Sequence, residues 1–192
     1  MSSKIKITTP LTEEAVRSLK VGNEVLLSGT ITTARDAAHK YLLEEGEPPV
    51  SLAGAVLYHC GPVVKKTEDG YEIVAAGPTT SARLSMFTPE VIEQFGVRGA
   101  IGKGGMDDRT LGAMSKFGAV YFSAVGGAAA VLAGAVKRVK NVYMLDKFGV
   151  PEAFWELEVE DFPLIVTMDS YGNSIHKDVL EVSGKIYREL MI

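Results

Sequence analysis

Cysteine is nearly absent from this sequence, because Cys60 is the only one in 192 residues. A single thiol cannot form a disulfide within the chain. It also cannot supply the several thiolates of a cysteine-rich zinc site or of an iron–sulfur cluster. Chemistry of those kinds therefore has to come from another chain. Cys60 follows an apolar strand segment and is predicted to be a small buried side chain.

The sequence also lacks any block of like charges. It has 20 Lys and Arg against 24 Asp and Glu, which gives a formal net charge of -4. Nucleic acid and anionic membrane surfaces are therefore poor candidates as partners. The first residues, "MSSKIKITTP", contain no apolar segment of the kind found in secretory signals, so the expected location is cytoplasmic.

One long uncharged stretch, Phe117 to Val136, has the length needed to cross a bilayer. Most of it is Ala and Gly, however, and "SAVGG" interrupts it. This pattern favours a buried strand over residues 119–125 followed by a closely packed helix over residues 127–139.

Apolar periodicity and turn residues predict that strands alternate with helices in an α/β fold. The 46% of hydrophobic residues can build one core, so we expect one domain over residues 1–192 with a C-terminal extension at about 174–192. Two strands joined across the Asp69-Gly70 turn break the alternation, which makes the sheet mixed. The predicted elements are a helix from an N-cap at Thr12 to Lys20, strands over 23–33, 54–61, 71–77 and 97–102, and helices over 34–46, 88–96 (N-cap Thr88) and 109–117.

The segment "GPTTSAR", residues 77–83, has the residue types of an anion site. Gly and Pro end a strand, hydroxyl residues follow, and Arg83 adds a planar cationic fork. The same residues are also typical of a capped turn with a solvated arginine.

Three other segments offer similar alternatives. "IGKGGMDDR" places Lys103 among glycines that let a backbone approach a ligand, although it departs from a Walker A loop. "ARDAAHK" places Arg35 and His39 one helical turn apart, which is either an anion-binding helix start or a solvated face. "SAVGGAAA" suits either an anion cradle or close helix packing. At strand-to-helix junctions, such cations would line one crevice and suit a small dicarboxylic acid.

These motifs occur together in a known family. The order and spacing of "ARDAAHK", "GPTTSAR", "KGGM" and "DFPLIVTMDSYGN" resemble those of the β subunit of the class I iron–sulfur fumarate hydratases and of the related L-tartrate dehydratases. The likeness covers most of the chain, and joint agreement of several motifs is more specific than any one of them. It implies a swivelling β/β/α domain, with a mixed central sheet or barrel flanked by helices.

The resemblance also implies a hydro-lyase built from two parts. An α subunit would carry three cysteines that hold a [4Fe–4S] cluster, and the β subunit would close over the cluster and supply cations for the substrate. This chain would then bind no metal itself. Its partner would be the cluster-bearing α subunit in a hetero-oligomer, in which β–β contacts can also occur.

Individual roles carry over at matching positions. Thr79 matches the threonine proposed as the catalytic base, Arg35 and Arg83 match arginines that bind substrate carboxylates, and Lys103 matches a lysine that contacts the substrate. Clustered cations would stabilise the charge that builds up when a proton leaves the carbon beside a carboxylate. Leu84-Ser85 follow Arg83, where the family often has Met-Asp. Further candidates are His39, Thr80 and Gly104.

The expected function is that of a fumarate hydratase β subunit, which interconverts fumarate and (S)-malate and is inactive without its α subunit. The same chemistry on L-tartrate is an alternative, disfavoured because a second substrate hydroxyl needs further polar groups. A stand-alone anion-binding or assembly module is the alternative outside enzyme chemistry. A neighbouring gene for a three-cysteine chain would favour the enzyme.

Overall fold

The computed structural model describes residues 4–191, and strands alternate with helices along most of this stretch. The strands within it are β1 (Ile5–Thr8), β2 (Glu24–Thr33), β3 (Val56–Tyr58), β4 (Val63–Thr67), β5 (Gly70–Ala75), β6 (Gly99–Gly102), β7 (Val120–Ser123), β8 (Val136–Tyr143) and β9 (Phe154–Met168). The helices are α1 (Glu13–Ser18), α2 (Asp36–Glu45), α3 (Thr88–Phe95), α4 (Asp108–Phe117), α5 (Ala129–Gly134), α6 (Leu145–Phe148) and α7 (Ile175–Leu190), with a 3₁₀ helix at Ala82–Met86.

Five strands close into a barrel. β2, β3, β6 and β7 run parallel and pair in that order, and β9 closes the ring by pairing antiparallel with both β2 and β7. β9 reaches both partners because its 15 residues span about 50 Å at roughly 3.3 Å per residue. β1 extends the sheet beside β2, and β8 lies along the first part of β9. The predicted α/β fold with a mixed sheet or barrel is confirmed.

Two apolar layers hold the barrel and the helices together. Successive residues of β3, β6 and β7 point to opposite sides of the sheet, as a pleated strand requires. One set belongs to a core cluster with Trp155 and Phe162, namely Tyr58, Ile101 and Phe122. The other set packs in a second cluster with residues of α2, α3 and α4, namely Leu57, Ala100 and Tyr121. Helices α2, α3 and α4 therefore pack on the face of the sheet opposite the cluster that contains Tyr58, Ile101 and Phe122.

Most of the predicted helix ends are confirmed. Thr12 caps α1, since its hydroxyl accepts a hydrogen bond from the Ala15 amide at 3.1 Å. Gly46, Gly96 and Gly118 end α2, α3 and α4 in the left-handed conformation that glycine adopts without strain. The prediction that Thr88 is an N-cap is wrong, because Thr88 lies inside α3 and its buried hydroxyl donates to the Leu84 carbonyl at 2.9 Å.

The hairpin forms from β4 and β5, and not from the two segments that were predicted to pair. The segment over 54–61 does not pair with 71–77, because β3 is recruited into the barrel between β2 and β6. The partner of β5 is instead β4, with Thr67 opposite Gly70 across the turn. The predicted turn at Asp69-Gly70 is therefore confirmed, but the prediction that residues 54–61 form the strand on its N-terminal side is wrong.

The predicted helix over 127–139 is too long. α5 ends at Gly134, and β8 begins at Val136 and pairs antiparallel with β9. Val136, Val139 and Val142 pack on the barrel's apolar cluster, so long-range sheet pairing and β-branched side chains decide the structure of this segment. The strand predicted over 119–125 is confirmed as β7.

The C-terminal helix α7 is amphipathic and largely exposed, with Leu180 and Leu190 at 72% and 80% of full exposure. It begins at Ser174, whose hydroxyl accepts from the Lys177 amide. Among residues 4–191, no helix combines the length and the hydropathy needed to cross a membrane.

Candidate functional site

Three of the predicted site residues, Arg35, Thr79 and Lys103, lie on loops at one edge of the barrel. Arg35 follows β2, His59 follows β3 and Lys103 follows β6, and these three strands are parallel neighbours. Carboxyl ends of parallel strands meet at the same edge of a sheet, which is where ligands bind in α/β folds. The "GPTTSAR" segment, which follows β5, is folded onto the same edge.

Backbone hydrogen bonds fasten the "GPTTSAR" segment between its two neighbouring loops. The Thr79 amide donates to the His59 carbonyl at 2.7 Å, and the Lys103 amide donates to the Thr79 carbonyl at 3.2 Å. The Ser81 amide in turn donates to the Lys103 carbonyl at 3.0 Å, and Thr80 and Lys103 form a parallel bridge. Thr79 and Lys103 are therefore held side by side, with Thr79 half-buried and Thr80 exposed.

Glycine at position 102 is required by this packing. A Cβ on Gly102 would lie 1.9 Å from the Ser81 Oγ, 3.0 Å from the Tyr121 hydroxyl oxygen and 3.2 Å from the His59 Nδ1. Gly104 and Gly105, next along the chain, both adopt positive φ, and a Cβ on Gly105 would collide with His176 at 2.4 Å. The glycines of the Lys103 loop therefore serve close contact with neighbouring groups as well as backbone freedom.

Arg35 begins helix α2 and is held by a carboxylate from a distant segment. Its Nε lies 3.2 Å from Glu152 Oε1, as an ion pair whose N–H does not point at the oxygen. The other Glu152 oxygen accepts a hydrogen bond from the Ala37 amide at 3.0 Å, in the first turn of α2. A Cβ on Gly61 would lie only 2.5 Å from Arg35 Nη1, so Arg35 reaches across the loop that follows β3.

Arg83 lies in the 3₁₀ helix and also has an acidic neighbour. Its Nη2 is 2.9 Å from Asp36 Oδ2, and each side chain of this pair is nearly half exposed. Because Asp36 directly follows Arg35, this ion pair fastens the "GPTTSAR" segment to the start of α2.

Lys103 differs from the two arginines. Its side chain is exposed, and it makes no ion pair with any residue between 4 and 191. It extends beside the glycines that follow β7, since its Cδ lies 3.6 Å from the position of a Cβ on Gly126. The structure thus brings the three predicted cations to one edge, with two of them paired to carboxylates of the same chain.

His39 is buried beneath these loops. Its Nδ1 lies 2.9 Å from the Arg35 carbonyl oxygen, and its ring meets the ring of His59 edge to face, with the centroids 5.3 Å apart. Burial lowers the pKa of His39 to about 4, and burial also lowers the pKa of His59 well below its usual value. Both imidazoles are therefore neutral at neutral pH.

Several residues of the site were not found from the sequence. Ser81 lies inside the quoted motif, but its central place is visible only through its contacts with residues 22 and 40 positions away. Asp36 is adjacent to a predicted site residue, and its pairing with Arg83 could have been guessed from charge alone. Nothing local in the sequence marks the other partners, which are His59, Tyr121 and Glu152.

The part of the chain that the structure describes contains no set of side chains suited to an iron–sulfur cluster. Within residues 4–191, no group of three or more His, Cys, Asp or Glu side chains is placed to hold a metal ion. Cys60 is fully buried, as predicted, and burial raises the pKa of its thiol to about 12, so the thiol is protonated at neutral pH.

Comparison with known proteins shows which family and which relatives the chain resembles. The family model described as "Fumarase C-terminus" matches residues 1–179. A Geobacillus stearothermophilus protein provisionally named fumarate hydratase class I is 49% identical over 176 residues, which cover 91% of this chain and 34% of that protein. A Methanocaldococcus jannaschii protein provisionally named L(+)-tartrate dehydratase subunit beta is 48% identical over 185 residues, covering 94% of this chain and 93% of that one.

The Escherichia coli L(+)-tartrate dehydratase subunit beta is 39% identical over 171 residues, which cover 88% of this chain and 85% of that subunit. This chain therefore spans about a third of the Geobacillus relative and nearly the whole length of the two beta subunits.

Proposed function

Because this chain belongs to the fumarase C-terminus family, we propose that it is the β subunit of an iron–sulfur-dependent hydro-lyase that interconverts fumarate and (S)-malate. The observation that carries the proposal is the gathering of Arg35, Arg83 and Lys103 at the edge of the barrel where Thr79 lies. The cluster is assigned to a partner α subunit, since Cys60 and its surroundings do not fit one. A cytoplasmic location, and one domain over residues 1–192 with a C-terminal extension, stay predictions from the sequence.

The cations have a direct chemical role in this proposal. Removing a proton from the carbon beside a carboxylate moves negative charge onto that carboxylate. Arg35, Arg83 and Lys103 would bind the two carboxylates of the substrate and stabilise this added charge more strongly in the transition state than in the ground state. The Asp36 and Glu152 carboxylates hold the two guanidinium groups in place before the substrate arrives.

Thr79 is proposed to act at the carbon that loses or gains the proton. A threonine hydroxyl is a weak base unless a neighbouring group activates it. Within residues 4–191, no carboxylate is hydrogen-bonded to the Thr79 hydroxyl. The activating carboxylate is therefore assigned to the partner subunit. The backbone bonds of Thr79 to His59 and Lys103, which hold it beside the Lys103 loop, support this proposal.

Fumarate is favoured because Thr80 is the one exposed hydroxyl residue of "GPTTSAR" that the proposal leaves without a role. Tartrate carries one more hydroxyl than malate and needs a further polar contact. The Ser81 hydroxyl is buried and bonded to Tyr121 and His59, and Ser85 Oγ accepts from the Asp107 amide at 3.2 Å. L-tartrate is the second candidate because the two relatives of matching length are named tartrate dehydratase beta subunits.

Anaerobic co-expression with a candidate α chain that carries three cysteines tests the proposal. The cluster-loaded complex is offered fumarate, (S)-malate and L-tartrate in parallel, and hydration or dehydration is followed by absorbance. We expect turnover of fumarate and malate with a kcat/KM at least about tenfold above that for tartrate. The reverse preference would move the assignment to tartrate dehydratase, and no turnover of any of the three would refute both.

A further inference from the structure

Helix α7 leaves the domain after its first turn. Ser174, which caps the helix, is buried, and the His176 ring packs closely against Gly105 in the loop after β6. Over residues 177–190, every residue except the half-buried Gly184 is exposed. The start of the helix is therefore anchored to the domain, whereas the rest of it has almost no tertiary packing.

The exposed part of α7 concentrates apolar surface. Fourteen large hydrophobic side chains are exposed in the described part of the chain, and seven of them lie between residues 179 and 191. With 3.6 residues per turn, Val179, Val182, Ile186 and Leu190 form one narrow line along the helix, here called the α7 stripe. Their side chains are between 51% and 80% exposed. A contiguous apolar surface of this kind is typical of an interaction site.

The α7 stripe points away from the domain. Glu181, Gly184 and Arg188, on the opposite side of the helix, line a groove against the Lys103 loop. A helix of 16 residues with an interior glycine and several β-branched side chains is marginal in water, because helices in proteins are stabilised chiefly by packing of their apolar face. No described element of this chain covers the stripe, which leaves it for another molecule.

The charges beside the stripe are complementary to a second copy of the same helix. Asp178 and Lys185 are both exposed and lie on the same flank of the stripe, four residues before Val182 and three residues after it. They are about 10 Å apart along the axis and cannot pair within one helix. An antiparallel copy, related by a twofold axis at Val182, would bring each Asp178 beside the other copy's Lys185.

We propose that the α7 stripe is a self-association surface, on which a second copy of this chain docks antiparallel across a twofold axis at Val182. In this arrangement Val182 meets its own counterpart, Val179 meets Ile186, and Ile175 meets Leu190. Every layer of the contact is then apolar, and two ion pairs lie along one side of it. The pairing does not depend on the proposed reaction.

The cluster-bearing α subunit of the proposed function is the other candidate for this surface. The family model ends at residue 179, so Val182, Ile186 and Leu190 lie beyond the segment that matches the family. A contact surface for a partner common to the family is expected within the matched segment. The symmetric placement of charge about Val182 also suits a twofold contact, whereas an unrelated partner would have no use for it.

Sedimentation equilibrium of the full chain by itself measures the association. We expect a reversible monomer–dimer equilibrium with a dissociation constant in the micromolar range, because the contact is small. Val182→Asp places two carboxylates against each other at the axis and should raise the dissociation constant more than about 100-fold. Val131→Asp on α5 is the matched control, because Val131 is also an exposed valine, at 72% against 58%.

Two results would overturn the self-association. One is a chain that stays monomeric at every concentration up to about 100 µM, well above the expected dissociation constant. The other is an equal effect of Val182→Asp and Val131→Asp. A monomeric chain whose binding to the α subunit is lost in Val182→Asp would assign the stripe to the α subunit instead.

Exchanging charges tests the antiparallel register. Asp178→Lys and Lys185→Asp each convert both ion pairs into like-charge contacts, so each variant alone should dimerise about tenfold more weakly. An equimolar mixture of the two variants restores both pairs and should dimerise about as well as the unmodified chain. Arg188→Asp, on the opposite side of α7, is the control, and mixing it with Asp178→Lys should restore nothing. A mixture of the first two variants that stays as weak as its components would contradict the register.

Discussion

Arg35 and Arg83 are each restrained by a carboxylate of the same chain. Each guanidinium lies against a carboxylate of its own chain, at 3.2 Å from Glu152 and 2.9 Å from Asp36. The Arg83–Asp36 pair is nearly half exposed, and ion pairs that are this open to solvent contribute little to stability, about 0 to 1 kcal/mol. Both ion pairs nevertheless restrict the two arginine side chains, so that under the proposed function an incoming carboxylate would meet cations that are already oriented.

Arg83 is the most direct residue to test. We expect Arg83→Ala to lower kcat/KM of the cluster-loaded complex by about 100-fold or more, since a charge-stabilising contact is lost in the transition state. The fold should stay intact because the side chain is nearly half exposed. Arg109→Ala is the control, as Arg109 pairs with Glu90 on the surface. Wild-type kinetics in Arg83→Ala would remove this residue from the site.

Gly102 makes a stability prediction at the same scale. Gly102→Ala should lower the free energy of unfolding by about 3 kcal/mol, because the new methyl group would overlap the Ser81 hydroxyl. Gly112→Ala in helix α4 meets nothing within 4 Å and should raise stability by about 0.5 to 1 kcal/mol. Urea unfolding of both variants measures the contrast. Equal effects would show that the crowding at Gly102 is not real.

At the scale of elements, helix α4 supports the Lys103 loop through its cap. The Asp107 carboxylate accepts from the Thr110 amide at 2.9 Å and from the Thr110 hydroxyl at 2.7 Å. Asp107→Ala should therefore cost about 1 kcal/mol of stability. The neighbouring Asp108→Ala removes only an exposed ion pair with Lys177 and should cost a few tenths of that at most. Thermal unfolding would disprove the cap's role if the two variants behaved alike.

Local patterns predicted most elements but not their distant partners. Thr12, Gly46 and Gly96 mark helix ends through contacts within one turn, which is why these boundaries could be read from the sequence. The start of β8 was predicted as helix because the Ala and Gly residues that precede Val136 resemble a helix when taken alone, whereas the strand state of β8 depends on pairing with β9.

In the candidate site too, residues within the motifs were predicted from the sequence, and their distant partners were not. Arg35, Arg83 and Lys103 were predicted from motifs and a resemblance, whereas Glu152 was not, because it reaches Arg35 from the turn before the distant strand β9. Likewise, the pairing of Ser81 with Tyr121 is set by how the barrel closes, which no short segment encodes.

At the scale of the whole molecule, the buried neutral histidines couple stability to pH. The pKa of His39 is about 4 in the folded protein and about 6.5 when unfolded, so the unfolded chain gains the proton first. Stability is therefore full above about pH 6.5 and declines as the pH falls toward 4, by about 3 kcal/mol from His39 alone. The lowered pKa of His59 changes the stability in the same direction. The Asp36 carboxylate favours a charge on His39, and the Arg83 guanidinium opposes a charge on His59.

Urea unfolding between pH 7 and 5 measures this slope. His39→Asn keeps a donor for the Arg35 carbonyl but cannot titrate, so its stability should depend less on pH than that of the unmodified chain. An equally steep dependence in the variant would show that His39 is not the titrating group.

The central claim is that this chain supplies one half of an active site that another chain completes. It is tested most directly by adding this chain to cluster-loaded α subunit under anaerobic conditions and following the conversion of fumarate to malate. We predict no turnover by either chain alone and activity that rises until the two are equimolar. Turnover by this chain alone, or α-subunit activity that does not change on its addition, would contradict the account.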